Sequence, residues 1–272
     1  MNNGDRIDIE TILYRKTGKR IGPITGAILR RLIHQSELND IWDSGRNMSA
    51  EDFLNHTLDY LKADLEIVST GEIPADGRYL YVSNHPFGGL DGMMIVSELL
   101  KRHGDAGVIV NDLLMNIGPL RSLWIPVNVY GRQHRETGGE YAEAMASEKR
   151  QILTFPAGFC SRKIDGEVKD TQWKPRFVKD AMKYGRKIVP VYVEGRLSRL
   201  FYGIYSLRRK LHIKTNIELL LLVDEMFRQR GKHIRIVFGT PVDIRDIAGS
   251  AEEQCQQIRE MVYNLKKHIT TK

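Results

Sequence analysis

The stretch Tyr79-Leu80-Tyr81-Val82-Ser83-Asn84-His85-Pro86-Phe87-Gly88-Gly89-Leu90-Asp91-Gly92 decides how this chain is read. Its first four residues are aromatic or branched and apolar, the composition of a buried strand. Pro86 has no N–H to give a ladder and biases His85 to an extended conformation, so the strand ends at Ser83-Asn84-His85. Gly88 and Gly89 permit a tight turn or the close approach of a ligand. Asp91 then stands at a helix start, where free N–H groups favour a carboxylate. Met93, Met94, Ile95, Val96, Leu99 and Leu100 continue it as an apolar pattern. A His and an Asp thus bracket a Gly-rich loop between strand and helix, where open α/β sheets place their ligands.

Such a pair supports one kind of chemistry well. A neutral imidazole within reach of a hydroxyl takes its proton during attack, and a buried carboxylate on the other ring nitrogen stabilises the imidazolium that forms. His85 and Asp91 are therefore the candidate catalytic residues. Spacing alone carries little weight. His34 and Asp40 repeat the interval in a polar stretch without a Gly-rich turn, which reads as coincidence.

Outward from this centre, strands alternate with helices. Leu65 to Ser69 and Tyr79 to Ser83 read as two strands joined by a Gly/Pro/Asp-rich turn. Further strands are Gly107 to Val110, Ile125 to Tyr130, Ile152 to Phe155, Ile188 to Val193 and Ile234 to Phe238. Helical patterns occupy Glu140 to Glu148, Lys174 to Lys183 and Ile217 to Arg230, and Ile258, Val262, Leu265 and Ile269 share one face of a C-terminal helix. This is an α/β chain with a mostly parallel sheet of about seven strands flanked by helices. Ahead of it, residues 1–20 are polar and loosely held, Ile24 to Ile33 is an amphipathic helix, and a polar break follows. A second helix starts with Ser49 as N-cap and Asp52 three residues on. The expected division is an N-terminal helical segment at 1–64 and one compact unit at 65–272.

Composition bounds the rest. With 272 residues, 42% hydrophobic and 28% charged, the chain is an ordinary globular protein able to bury one substantial core. Cys160 and Cys255 make no disulfide framework and no zinc cluster, which fits a reducing compartment. Met1 to Glu10 has no apolar core and does not read as a signal peptide. The longest apolar runs, such as Leu219 to Val223, fall far short of the roughly 20 residues needed to span a bilayer. A net charge of +7 favours an anionic partner without choosing among nucleic acid, membrane surface and acidic ligand. The sequence has no Gly-x-Ser-x-Gly elbow, P-loop or dinucleotide fingerprint.

Three later strand ends carry Gly and Arg together: Gly131-Arg132, the loop Phe155-Pro156-Ala157-Gly158-Phe159-Cys160-Ser161-Arg162-Lys163, and Glu194-Gly195-Arg196. That recurrence makes a single polyanion-facing rim a reasonable expectation. Arg196 to Lys214 mixes Arg196, Arg199, Arg208, Arg209, Lys210 and Lys214 with Phe201, Tyr202, Tyr205 and several leucines, and contains no acid. It reads as a surface in a lipid headgroup layer, a single-stranded nucleic-acid platform, or a half-buried helix with a charged face.

Asn84-His85…Asp91, the Gly-Arg turn at 131–132, the Phe-Pro loop at 155–163 and the Val189-Pro190-Val191 strand resemble, in order and approximate spacing, the motif blocks of the glycerophospholipid acyltransferase superfamily. The resemblance covers roughly residues 65 to 240. That family moves a fatty acyl group from a thioester to a lipid hydroxyl around an Asn-His-x4-Asp motif. Here the His-to-Asp interval is one residue longer, and the usual Phe-Pro-Glu-Gly loop has Ala157 in place of the glutamate that helps bind glycerol phosphate. Both features are similar to a hemolysin-like branch that includes O-acyltransferases of ornithine and glycine lipids, whose acceptor is the hydroxyl of an N-linked 3-hydroxyacyl chain.

The resemblance implies that His85 is the general base and Asp91 its orienting partner. Substrate contacts are then expected at Asn84, Gly88, Gly89, Arg132, Phe155, Pro156, Gly158, Ser161 and Arg162. The donor is acyl-ACP or acyl-CoA as a substrate, with no cofactor, and a His-Asp pair is too few ligands for a metal site. The expected partners are an acyl carrier protein or CoA thioester, a lyso-lipid and an anionic membrane surface, with no nucleic acid. The expected location is cytoplasmic, peripheral on the inner face of the membrane. Arg199, Phe201, Tyr202, Tyr205, Arg208, Arg209 and Lys210 are the expected membrane contacts. Two competing readings are a 1-acylglycerol-3-phosphate acyltransferase and a non-catalytic basic lipid-binding protein. The second gives no reason for His85 and Asp91 to bracket a Gly-Gly turn.

Overall fold

A computed structural model describes residues 6–111, 118–127, 135–213 and 217–269. The chain divides into two compact units, one of residues 1–63 with 197–232 and the other of residues 64–196 with 233–272. The division between Ala63 and Asp64 falls beside the expected 64/65 boundary. Residues 197–232, however, group with the N-terminal helices and not with the sheet, which corrects the expectation of one unit over 65–272.

The helical unit holds α1 (Ile9–Thr17), α2 (Pro23–Leu32), α3 (Gln35–Gly45) and α4 (Ala50–Tyr60). Two of these correct the sequence reading. Residues 1–20 contain α1, started by Asp8, whose carboxylate accepts the N–H groups of Glu10 and Thr11, and ended by Gly18 in the left-handed region. The polar break is α3, and polar contacts hold it where apolar periodicity is thin. Asn39 bonds the N–H and C=O of Ile7, and Gln35 accepts the N–H of Ile9. Ser49 caps α4 as expected. His34 bonds Glu37 and Asp224 at 3.0 Å each and stacks on Phe227, so it forms no pair with Asp40.

The other unit is built on a seven-stranded sheet. Its strands are β1 (Asp64–Ser69), β2 (Tyr79–Ser83), β3 (Ala106–Asn111), β4 (Trp124–Val127), β5 (Gln151–Thr154), β8 (Lys187–Val193) and β9 (His233–Phe238), with β6 (Arg162–Ile164) and β7 (Glu167–Lys169) forming a separate hairpin. The order is β1-β9-β8-β2-β5-β3-β4; β8 and β9 are antiparallel and the other neighbours parallel. β1 and β2 are therefore not neighbours, as their short connection implied, but are separated by β9 and β8. Of the strand expected at Ile125 to Tyr130, residues 128–130 lie outside the described residues.

β2 sits between β8 and β5, and all five of its residues are buried. Leu80 and Val82 join the core made with Tyr141, Trp173, Phe177, Ile258 and Val262, which come from α6 (Arg135–Ala146), α7 (Arg176–Tyr184), α10 (Ala251–Asn264) and the loop before α7. Successive side chains alternate across a strand, so Tyr79 and Tyr81 point to the other face. There Tyr81 meets His103 at the end of α5 (Gly89–His103). A strand buried on both faces explains the unbroken apolar run of Tyr79 to Val82.

Candidate active site

The turn after β2 is held at three levels. Asn84 uses both ends of its amide on Val193, donating to its C=O at 2.9 Å and accepting its N–H at 2.8 Å. This ties the end of β2 to the end of β8 and corrects the expectation that Asn84 contacts substrate. Gly88 follows at φ 78 and ψ −125, a conformation closed to side-chain-bearing residues. Asp91 lies in the first turn of α5, fully buried, and accepts the N–H groups of Phe87 (3.0 Å) and Gly88 (3.1 Å).

The two candidate catalytic side chains meet across this turn. His85 Nδ1 is 2.8 Å from Asp91 Oδ2, although the contact lies off the ring N–H axis. A carboxylate beside that nitrogen favours the tautomer with its proton on Nδ1. Nε2 has no hydrogen-bond partner among the described residues. The imidazole side chain is 17% exposed. Its face is stacked on Phe155, with centroids 3.9 Å apart and planes 25° apart, which fixes the ring's plane. Burial pushes the Asp91 carboxyl up from its ordinary value, against the His85 ring and the Phe87 N–H, which pull it down.

Beneath His85 lies a second buried carboxylate that the sequence reading missed. Asp170 Oδ1 accepts the backbone N–H of His85 at 3.2 Å and the hydroxyl of Ser161 at 2.5 Å, while Oδ2 accepts Trp173 Nε1 at 2.9 Å. Its own N–H donates to the Tyr263 hydroxyl at 2.8 Å. Burial raises the Asp170 carboxyl as well, countered by Ser161 and Trp173. Asp170 sits in a polar segment, Lys169-Asp170-Thr171-Gln172-Trp173, where only the buried Trp173 three residues on hinted that it points inward.

The Phe-Pro loop is divided by the structure. Phe155 reaches the imidazole, Pro156 is buried, and Gly158 turns at φ 72 to close a Phe155–Gly158 hydrogen bond. The Ser161 N–H donates to the C=O of His85 at 2.7 Å, and its hydroxyl donates to the same Asp170 oxygen that accepts the His85 N–H. Arg162 is buried, and its guanidinium donates to the C=O (2.6 Å) and Sγ (2.8 Å) of Cys160. Ser161 is thus tied to His85 and Asp170 and Arg162 to Cys160, and the buried Arg162 is not part of the expected solvent-facing cationic rim. Arg132 and the turn Gly131-Arg132 lie outside the described residues. Gly89 is exposed, with open space beside it. Gly195 proves to be a packing glycine, because a Cβ there would overlap the buried ring of Phe87. Burial raises the Cys160 thiol, which makes it a poor nucleophile.

The segment 196–214 behaves differently from its reading. It forms α8 (Arg199–Lys210), capped by Ser198, and Phe201, Tyr202 and Tyr205 are buried. They cannot insert into a lipid layer. Arg208 pairs at 2.8 Å with Glu218, itself fully buried, and donates to the C=O of Ile213. It is a structural ion pair and not a surface cation. Arg199, Arg209 and Lys210 are exposed.

A profile of the acyltransferase family matches residues 17–271. The lyso-glycine lipid O-acyltransferase of Phocaeicola vulgatus is 37% identical over 265 residues, 95% of each chain. That of Bacteroides thetaiotaomicron is 35% identical over 266 residues, 95% of this chain and 97% of its own. The crystal structure of the 1-acyl-sn-glycerophosphate acyltransferase PlsC from Thermotoga maritima shares the fold at 18% identity, with a TM-score of 0.51 over 97% of this chain and 95% of that one.

Proposed function

The chain belongs to the acyltransferase family, and on that premise we propose that it moves a fatty acyl group from an acyl thioester to the hydroxyl of a lyso-lipid. The favoured acceptor is a lyso-glycine lipid, the lipid in the printed names of the two relatives, acylated at the hydroxyl of its 3-hydroxyacyl group. The observation that carries the reading is His85 Nδ1, just past the end of the central strand, at 2.8 Å from the fully buried Asp91 in the first turn of α5, with Nε2 unpartnered among the described residues. In this reaction the acceptor oxygen attacks the thioester carbonyl while Nε2 takes its proton. Asp91 stabilises the imidazolium. The tetrahedral intermediate collapses with loss of the thiolate, which receives the proton from Nε2. The products are an ester and a free thiol, no acyl-enzyme forms, and the balance calls for no cofactor. The loop carries Ala157 and turns Arg162 inward, which supports a phosphate-free acceptor over glycerol phosphate.

The donor is an acyl carrier protein or CoA thioester, and the enzyme works at the inner face of the membrane, peripherally. Among the described residues no helix is long and apolar enough to cross a membrane. The test is transfer from labelled acyl-CoA and acyl-ACP to purified lyso-glycine lipid and, in parallel, to 1-acylglycerol 3-phosphate. His85→Ala should lose roughly 10²–10⁴-fold in rate. Undiminished transfer by that variant would remove His85 from the mechanism, and preference for the phosphate acceptor would overturn the substrate.

A further inference from the structure

Among the described residues ten large apolar side chains are exposed, and all but Met182 lie in the helical unit. Three of them, Leu200 (53%), Leu207 (56%) and Leu211 (61%), share α8 and its C-cap. The spacing 200, 203, 207, 211 is three, four and four residues, so these positions stand on one face of the helix. The fourth member is Gly203, exposed with nothing within 4 Å of where a Cβ would stand, which leaves the face open along its length. The opposite side of the same helix carries Phe201, Tyr202 and Tyr205 into the interior. A helix buried by its aromatic rings thus presents a second apolar stripe to solvent.

Charge flanks that stripe. Arg199 and Lys210 lie on the helix surface beside the leucines, and no ion pair engages either among the described residues. α8 contains no acid, and the acids that approach it, Glu218 and Glu225, are taken by Arg208 and by Ser198. Exposed leucines bordered by free cations match an anionic lipid surface, with cations at the phosphates and apolar side chains at the acyl boundary.

We infer that the Leu200–Leu207–Leu211 face of α8, with Arg199 and Lys210, docks this enzyme on an anionic phospholipid bilayer. The inference rests on the lipid-acceptor reading above and moves the contact from the aromatic rings to the leucines. Binding of the full chain to vesicles of phosphatidylcholine and phosphatidylglycerol is measured by co-sedimentation at low and high salt. Turnover on detergent-dispersed lyso-lipid is measured in parallel. Replacing Leu200, Leu207 and Leu211 with Ser should lower partitioning by roughly 10²-fold at both salts. Arg199→Gln with Lys210→Gln should lower it by about fivefold per cation at low salt and little at high salt, where surface charge is screened. Both variants should keep turnover on dispersed acceptor. Binding of the leucine variant equal to the parent overturns the proposal. So does unchanged vesicle binding with a dimer-to-monomer change, which makes the occupant a second copy. Unchanged vesicle binding with loss of acyl-ACP turnover alone overturns it too, in favour of the carrier protein. Vesicle binding as expected without turnover by the parent leaves the docking face standing and refutes the enzymatic reading.

Discussion

Gly195→Ala tests the site through packing, from a residue that bonds neither His85 nor Asp91. A methyl at Gly195 would fall inside the ring of Phe87, which is buried and has no solvent to retreat into. Ordinary carbon contacts sit at about 3.5–4 Å, so the ring must withdraw by more than about 1 Å. Phe87 is also one of the two residues whose N–H groups hold Asp91, at 3.0 Å and 3.2 Å to its two oxygens. Overpacking of this kind costs about 1–3 kcal/mol of stability. A displacement of about 1 Å in a catalytic constellation costs on the order of 10²-fold in rate. The assay is kcat for acyl transfer to lyso-glycine lipid, with thermal unfolding followed by circular dichroism. Phe87→Leu in the same chain removes the overlapping ring atoms, so the double variant should recover part of both losses. A Gly195→Ala enzyme with parental kcat and Tm would refute the reasoning. Failure of Phe87→Leu to rescue would show that the ring is not what transmits the damage.

Asp170→Asn keeps one acceptor oxygen but sets an amide NH2 against either Trp173 Nε1–H or the His85 and Ser161 donors. We expect kcat to fall at least about tenfold with KM little changed, since a mis-set His85 backbone misplaces the base more than it weakens binding; an unchanged kcat would contradict this. Because burial raises the Asp170 carboxyl, the unfolded chain ionises first, so the parent's stability relative to Asp170→Asn should decrease as pH rises above about 4 and level off once the folded carboxyl is ionised. Denaturant unfolding across that range reads the slope, and an increase with pH would reverse the assignment. Burial raises both thiols, Cys255 to about 11, so iodoacetamide at pH 8 should alkylate the folded protein at least about 10²-fold more slowly than free cysteine, measured by mass spectrometry; rapid labelling of the folded chain would contradict their burial.

The strand, turn and helix around His85 were legible because each residue there leaves a separate mark. Val82 and its neighbours show a strand, Pro86 its end, Gly88 a positive φ and Asp91 a helix start. The direction in which a side chain points leaves no such mark. Arg162 beside a glycine looks alike whether it faces solvent or, as here, Cys160. The same holds for α8, where rings and leucines alternate and only the tertiary packing chooses which set is buried; the acids that bind Arg208 and Ser198 come from 10 and 27 residues further along. α3 was missed because side-chain amides on distant backbone anchor it, and apolar periodicity does not register them. The place of β1 was unreadable for a simpler reason: nothing in a strand names a partner that lies on the far side of the chain.

That partner has a consequence for how the molecule is made. β1 pairs with β9 across a separation of 169 residues at Asp64 and His233, and residues 1–63 complete their unit only with residues 197–232. On a ribosome adding about 5–20 residues per second, a nascent chain waits on the order of 10–30 s between the emergence of the first pieces and that of their mates. During that interval β1 lacks its β9 partner and the first four helices lack the part of their cover that residues 197–232 supply. The middle of the chain, where β2 to β8 and the His85 turn lie, can assemble while both ends are still unfinished. Closing loops over these long separations is the entropic cost that slows folding relative to a chain held by local contacts.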